Sequence, residues 1–389
     1  MTEKLYCKNS KMRENDADVV SVEKKDGKYR TVLDKTCFFP EGGGQQSDTG
    51  FIRNTAVLHV EEVDGVIYHI SADKPDFTVG DTVRCRIDWE KRFARMQAHS
   101  GEHIVSGIVH KLFGFENVGF HMDDTLMTVD FSGYLTKEQL KDVECAANRA
   151  VYENVPINTF YAEQRPEITD CRSKLPTLRN PRLVEIAGYD ICACCAPHVS
   201  QTGEIGIIKI LSSASHRGGV RITLICGKTA YDELSARYSD ILRLSDMLCA
   251  PHGGVPDAVS DLIVRNEALK RELSLQKEAV LKRIADATEH SDGNLCVFAD
   301  GLNSDDVRKL AVMLRDRCEG LCVVLSGNDD TGYAFAVTSP GIKLRAVSKE
   351  INSALSGRGG GKDDMLQGRF AAKRHDIEQY FSAGEFGDK

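Results

Sequence analysis

No apolar run in this chain approaches the roughly 18 to 20 residues that a bilayer-spanning helix needs. Its start, M-T-E-K-L-Y-C-K, also lacks the hydrophobic core of a secretory signal. Membrane insertion is therefore not expected, and a cytoplasmic location is. An excess of positive charge is missing too. Fifty Lys and Arg stand against 58 Asp and Glu, a formal net charge of -8, which argues against indiscriminate nucleic-acid binding by a uniformly basic surface. A local basic track is still allowed, for instance at Lys91, Arg92 and Arg95 or at Lys270 and Arg271. The cysteines lack the density of a small disulfide scaffold: 13 in 389 residues, an odd number, fit a reducing compartment where thiols stay free or bind metal.

What is present suffices for several cores. At 41% hydrophobic and 28% charged residues, a chain of this length should divide into two or three domains. Its organising stretch is M-Q-A-H-S-G-E-H-I-V-S-G, residues 96–107, where His99 and His103 lie four apart in a helical pattern and so project from one face. Two imidazoles make half of a tetrahedral metal site. A second pair with the same spacing, Cys194 and His198 in D-I-C-A-C-C-A-P-H-V, offers the other half, and one thiolate with three imidazoles suits zinc. His110 falls too far along the helix axis to share the ion and reads as structural or solvated. The same letters hold a rival pattern. His99, Glu102 and His103 spell H-x-x-E-H, the inverted zinc-protease signature, in which Glu102 would be the general base; that reading has no use for Cys194.

Residues 1 to about 90 alternate apolar and polar positions between turn signals, as in T-V-R-C-R-I-D, and predict a small β-barrel. Within them T-C-F-F-P-E-G-G-G-Q-Q-S-D-T-G carries Gly42, Gly43 and Gly44, which permit a tight path and close backbone approach. A helix is expected over 89–113 with Gly114 as its stop, and another over 136–154 opening T-K-E-Q. Strands are expected at 125–131, 154–161, 182–186, 202–211 and 219–225, giving an α+β domain. P-H-G-G-V-P marks a linker. After it Val259, Leu262, Asn266, Leu269, Leu273, Gln276 and Val280 form a heptad seam on a long amphipathic helix, able to pair within its own domain or with a second copy. Residues 294–370 read as a small α/β domain. Near its end G-R-G-G-G-K-D-D fails the nucleotide-loop pattern, because Ser356 and Asp363 occupy the required Gly and Ser/Thr positions. A glycine-rich turn there could still cradle a phosphate.

These pieces resemble the editing half of alanyl-tRNA synthetases and the freestanding alanyl-tRNA editing proteins in their long form. The matching residues are P-E-G-G-G-Q (40–45) with Asp48 and Gly50, H-S-G-E-H (99–103), T-V-D-F ending at Phe131, C-C-A-P-H-V (194–199), T-G-E-I-G (202–206), G-V-R-I (219–222) and L-S-G-R-G-G-G-K-D-D-M-L-Q-G (355–368). The resemblance implies four parts. A β-barrel domain with the glycine-rich loop covers 1–90, and a zinc-dependent editing domain covers 91–250. A linker and long helix cover 251–290, and a C-terminal α/β RNA-binding domain covers 291–389. It also implies an esterase that removes serine, with glycine as a second candidate, from mischarged alanine tRNA. The Zn2+ ligands would be His99, His103, Cys194 and His198, with Glu102 and Gln45 as catalytic candidates. Gly42, Gly43, Gly44, Gln45, Cys195 and Arg221 would meet substrate. Because no aminoacylation domain precedes the barrel, synthesis of aminoacyl-tRNA is not expected. A homodimer through the 259–280 seam and the C-terminal domain is an expectation of the same kind; the rivals are the metalloprotease and a non-catalytic tRNA-binding protein. The chain departs from the family's usual C-G-G-T-H and G-x-R-R-I. It has C-C-A-P-H, with Cys192 and Cys195 flanking the expected ligand, and the single Arg221.

Overall fold

The computed structural model describes residues 2–168, 171–172, 180–383 and 386. The alternating N-terminal segments form one seven-stranded sheet. Its order is Thr55–Val57, Gly50–Ile52, Thr82–Ile87, Glu14–Lys25, Lys28–Leu33, Val66–Ser71 and His59–Val63. The two ends of that order are separated in sequence by Leu58 alone, whose N–H donates to Ile70 O at 2.8 Å. In Thr82–Ile87 the side chains of Val83, Cys85 and Ile87 are buried while those between them are exposed. A period of two forces this once one face of a strand packs on a core.

A second sheet runs Asn117–Met122, Met127–Phe131, Gly219–Cys226 and Ile208–His216, with every neighbour antiparallel. Against it lies the helix Trp89–Phe113. Asp88 caps its N-terminus by accepting from the Lys91 N–H, and Gly114 at φ +70° ends it, its N–H donating to His110 O. Fifteen of its residues are buried, so it is an interior helix rather than a surface one. Glycines at its centre cost helix stability but let neighbours close in. A Cβ at Gly101 would stand 2.4 Å from Cys226 Sγ, and one at Gly107 would stand 2.3 Å from Tyr189 O. The helix Lys137–Glu153 begins with the capping box that T-K-E-Q predicts, between Thr136 and Gln139. A third sheet, Ile157–Tyr161, Arg182–Ile186 and Asp190–Ala193, leads the chain into Cys194. These parts lie in one compact unit, Met1–Arg243.

The second unit, Leu244–Lys389, has a five-stranded sheet in the order Leu295–Phe298, Cys322–Asn328, Gly332–Thr338, Met365–Phe370 and Gly357–Lys362. Its first pair is parallel and the rest are antiparallel. Val323, Leu325, Phe335 and Val337 join one core with Leu344 and Ile377; Cys322, Val324 and Ala336 join another with Leu281, Val307 and Leu310. No helix among the described residues is long and apolar enough to cross a membrane. The mixed α+β class stands, with helices on several sheets.

Three local expectations need correction, and two elements are additional. Thr202–Ile205 is a 3-10 turn and its strand starts only at Ile208. The buried Thr202 hydroxyl, donating to Ala150 O and accepting from the Val155 N–H, ties that turn to the end of the preceding helix. The strand Asn117–Met122 and the helix Gly227–Leu248 were not foreseen. The 251–256 linker is a short turn, His252–Gly254, running into the helix Val255–Ala287, with Pro256 in the first turn where its missing N–H does no harm. G-R-G-G-G-K is not a turn but the edge strand Gly357–Lys362. The heptad seam is all on Val255–Ala287, and its Val259, Leu262, Leu269, Leu273 and Val280 are exposed.

Candidate metal centre

One face of the Trp89–Phe113 helix brings His99 and His103 to a single point, and the segment after Asp190–Ala193 brings Cys194 and His198 to the same point. Their ligand atoms all lie within 4.8 Å of one another. Cys194 Sγ is 3.6 Å from His99 Nε2 and 3.4 Å from His198 Nε2. The ring centroids of the three histidines are 4.7 to 5.3 Å apart. The bend that delivers the thiol is fixed by Arg182, which donates to the carbonyls of both Cys194 and Ala196 at 2.9 Å.

Each imidazole is oriented from behind. His99 Nδ1 lies 2.9 Å from Gln45 Oε1, His103 Nδ1 3.0 Å from Asp190 Oδ2, and His198 Nδ1 3.0 Å from Ser100 Oγ. An amide oxygen and a carboxylate can only accept, so Nδ1 of His99 and His103 carries a proton, which leaves Nε2 as the nitrogen a metal could take. Asp190 is itself held by Arg172 through two contacts of 2.7 Å. Burial drives His198 down to about 3, so it is neutral at physiological pH. Burial alone would raise the Cys194 thiol, but His99 beside it and hydrogen bonds with His103 and His198 outweigh that and hold it well below the usual thiol range. A thiolate and three oriented, hydrogen-bonded imidazoles are the donor set that zinc takes. A zinc ion fits these residues.

The neighbouring cysteines differ. Cys192 lies with His103 and Asp190 in a second possible group, and burial pushes its thiol up to about 11. Cys195 is exposed, 3.5 Å from where a Cβ on Gly43 would stand and 3.8 Å from one on Gly42. The glycine loop therefore runs over Cys195. Gly43 and Gly44 take φ of +61° and +81°, and a Cβ on Gly44 would sit 2.5 Å from the Phe120 ring, which packs 5.1 Å from His99. Gln45 is fully buried, and its Nε2 has no hydrogen-bond partner among the described residues.

The structure does not bring every sequence candidate here. Glu102 is buried, but its carboxylate accepts from Ser106 Oγ and from Asn117 Nδ2, and it is not among the four converging side chains. Arg221 alternates with the buried Val220 and Ile222 and makes a double contact with Asp130, at 2.6 and 2.7 Å, on the other face of its strand. His110 is exposed and pairs with Glu116, as a solvated position should. Asp190, Ser100, Arg172 and Phe120 were missed. Asp190 and Ser100 adjoin the ligand pairs in sequence, whereas nothing local marks Arg172 or Phe120.

Residues 3–91 match the family described as tRNA synthetases class II (A). Residues 182–223 match the threonyl and alanyl tRNA synthetase second additional domain, and residues 292–380 the DHHA1 domain. The chain is 28% identical to the alanyl-tRNA editing protein AlaX-L of Pyrococcus horikoshii, over 97% of its own length and 96% of that protein. It is 31% identical to the alanine–tRNA ligase of Thermofilum pendens, over 95% of its own length and 42% of the ligase. For the corresponding ligase of Methanobrevibacter smithii the figures are 30%, 94% and 44%. The chain thus spans less than half the length of these ligases. A solved C-Ala domain from Aquifex aeolicus alanyl-tRNA synthetase shares 21% identity over 24% of this chain and 94% of that one, with a TM-score of 0.21, too low to bear on the fold.

Proposed function

The chain resembles the alanyl-tRNA editing proteins over nearly its whole length, and from that premise we propose that it is a zinc-dependent deacylase of mischarged alanine tRNA. The observation that carries the reading is the convergence of His99, His103, Cys194 and His198, with each histidine oriented through Nδ1. The seven-stranded sheet is the barrel of this reading, and the second unit holds the tRNA body.

Bound at those four residues, zinc would orient the aminoacyl group or, by taking a fifth ligand, polarise its ester carbonyl or a water beside it. Gln45 has two tasks. Its Oε1 fixes the His99 tautomer, and its unpartnered Nε2 is a donor for the aminoacyl group. A buried donor that only a hydroxyl-bearing substrate satisfies discriminates strongly against the analogue lacking that hydroxyl, which favours serine over alanine. Gly42, Gly43 and Gly44 leave room over Cys195 for the acceptor end, and Phe120 walls the loop. Glu102, bonded to Ser106 and Asn117, supports the strand that carries Phe120 rather than serving as a base, which leaves a peptide-cleaving reading without its general base. In the second unit Arg358 and Lys362 are exposed on the edge strand and reach phosphates. The exposed seam fits self-association, which a monomeric mass at micromolar concentration would exclude.

The deciding experiment is metal analysis coupled to hydrolysis of serine-charged and alanine-charged alanine tRNA. We expect a single zinc per chain and much faster loss of serine. His103→Ala and Cys194→Ala should lose both metal and activity, and Cys192→Ser should keep them. Equal rates on the two substrates would remove editing as the function.

A further inference from the structure

The glycine loop is tied to the histidine helix at successive turns. Gln45 meets His99; Gln46 and Ser47 meet Arg95, one turn earlier; Asp48 meets Arg92. The Arg92–Asp48 pair closes the base of the loop. It is fully buried, with Asp48 Oδ2 also accepting from the Phe39 N–H at 2.6 Å and Arg92 Nη2 donating to Cys37 O at 2.7 Å. Arg95 does something different. Its Nη1 donates to Ser47 O at 2.5 Å, its Nη2 to Gln46 Oε1 at 3.0 Å, and Nε and Nη2 together to Asp124 Oδ1 at 3.0 and 2.6 Å.

Asp124 belongs to the turn joining Asn117–Met122 to Met127–Phe131. Asp123 stiffens that turn by accepting from the Thr125 and Leu126 N–H groups at 2.7 and 3.0 Å. The first of those strands carries Phe120, which abuts Gly44 and packs on His99. One guanidinium therefore spans both walls beside the cluster: the loop that ends in Gln45 and the hairpin that carries Phe120. The planar fork of arginine reaches three acceptors spread over both walls, whereas the three donors of an ammonium converge on one nitrogen and cannot span that separation. Arg95 is buried while Asp124 is about half exposed, and a buried cation left with neutral acceptors alone is costly. Of the ties between loop and helix, this is the one that also reaches the Phe120 hairpin.

We propose that Arg95 is a positioning residue of the reaction, holding the glycine loop and the Phe120 hairpin at the separation where Gln45 and Phe120 flank the histidine cluster. The proposal rests on the deacylase reading for its effect on rate, though not for its effect on the loop. Misplacing a reacting group by about 1 Å can cost on the order of 100-fold in rate.

The test uses the full-length protein with Arg95→Lys, Arg95→Met and Asp124→Asn. Amide hydrogen exchange should quicken in residues 42–48 and 123–126 for Arg95→Met, with zinc content and affinity for uncharged tRNA unchanged. The kcat for serine-charged alanine tRNA should fall roughly 10- to 100-fold with KM moving far less. Arg95→Lys should recover part of that loss, because its ammonium can meet only one or two of the three acceptors, and Asp124→Asn should fall between Arg95→Lys and the parent. Unchanged exchange in both segments for Arg95→Met would overturn the proposal, and so would quickened exchange with parental kcat. If the parent protein hydrolyses neither aminoacyl-tRNA, the deacylase reading fails by itself, and the exchange data alone still decide whether Arg95 holds the two walls.

Discussion

Two segments of this chain read almost alike, P-E-G-G-G-Q at 40–45 and G-R-G-G-G-K at 357–362, and they fold in opposite ways. In the first, Gly43 and Gly44 turn left-handed, the loop closes through a Gly42–Gln45 bridge, and its last side chain is buried against His99. In the second, all six residues pair in regular register with Met365–Phe370, and Arg358 and Lys362 are exposed. Three glycines specify no conformation. They permit whichever one the surroundings stabilise: a helix with Arg92, Arg95 and His99 on one side in the first case, a neighbouring strand in the second.

The comparison breaks most sharply at Gly44. Gly44→Ala places a Cβ against Phe120 at positive φ, and we expect a loss of about 3 kcal/mol in urea unfolding of the first unit, with hydrolysis falling at least about 100-fold. Parental stability and rate would mean that the loop tolerates a side chain after all. The footing of the first segment is also sensitive to acid. His69 is fully buried, with Nε2 accepting from the Thr36 hydroxyl at 2.8 Å and Nδ1 donating to Thr31 O at 3.1 Å, and burial drives it down to about 4. An unfolded chain takes up that proton near pH 6.5, so the unfolded state binds more protons and stability falls as pH drops from about 6.5 to 4, by on the order of 3 kcal/mol. His69→Gln should flatten the stability curve across that window; an equal slope would assign the acid sensitivity elsewhere.

Smaller effects sharpen the second segment. A Cβ on Gly361 would meet Met365 O at 2.0 Å, whereas one on Gly360 would have nothing within 4 Å. Gly361→Ala should therefore cost about 1 to 2 kcal/mol in the second unit and Gly360→Ala less than about 0.5; similar losses for both would contradict the strand register. Last, Arg358→Ala and Lys362→Ala should each reduce the dependence of log affinity for tRNA on log salt by about 1 if this edge meets phosphates. An unchanged slope in the double variant would place the RNA elsewhere.

Signals carried by neighbours along the chain were legible. Gly114 and the T-K-E-Q box place the end of the Trp89–Phe113 helix and the start of the Lys137–Glu153 helix within a residue or so, because caps act over three or four positions. Alternation marked most strands of the first sheet, though it missed Gly50–Ile52 and ran Thr55–Val57 and His59–Val63 together. It did not find Asn117–Met122, whose burial is irregular, or Gly227–Leu248, whose Tyr231, Leu234, Tyr238 and Ile241 recur at helical spacing yet are exposed. The 357–362 glycines look like a turn locally and form a strand only because Met365–Phe370 lies alongside.

What the sequence by itself determined is that His99 and His103 project from one face, since four residues along a helix fix where two side chains point; the equal spacing of Cys194 and His198 marks a second pair without fixing its geometry, because that segment is not helical. Spacing to His198 points to Cys194 but leaves its neighbours in C-A-C-C as rivals. Only the strand Asp190–Ala193 and the grip of Arg182 on the carbonyls of Cys194 and Ala196 decide it, turning Cys194 towards the cluster and Cys192 towards Asp190. The orientation of each imidazole is likewise tertiary. Gln45 comes from 54 positions before His99 and Asp190 from 87 after His103, and no periodicity links groups so far apart; packing across the buried helix does.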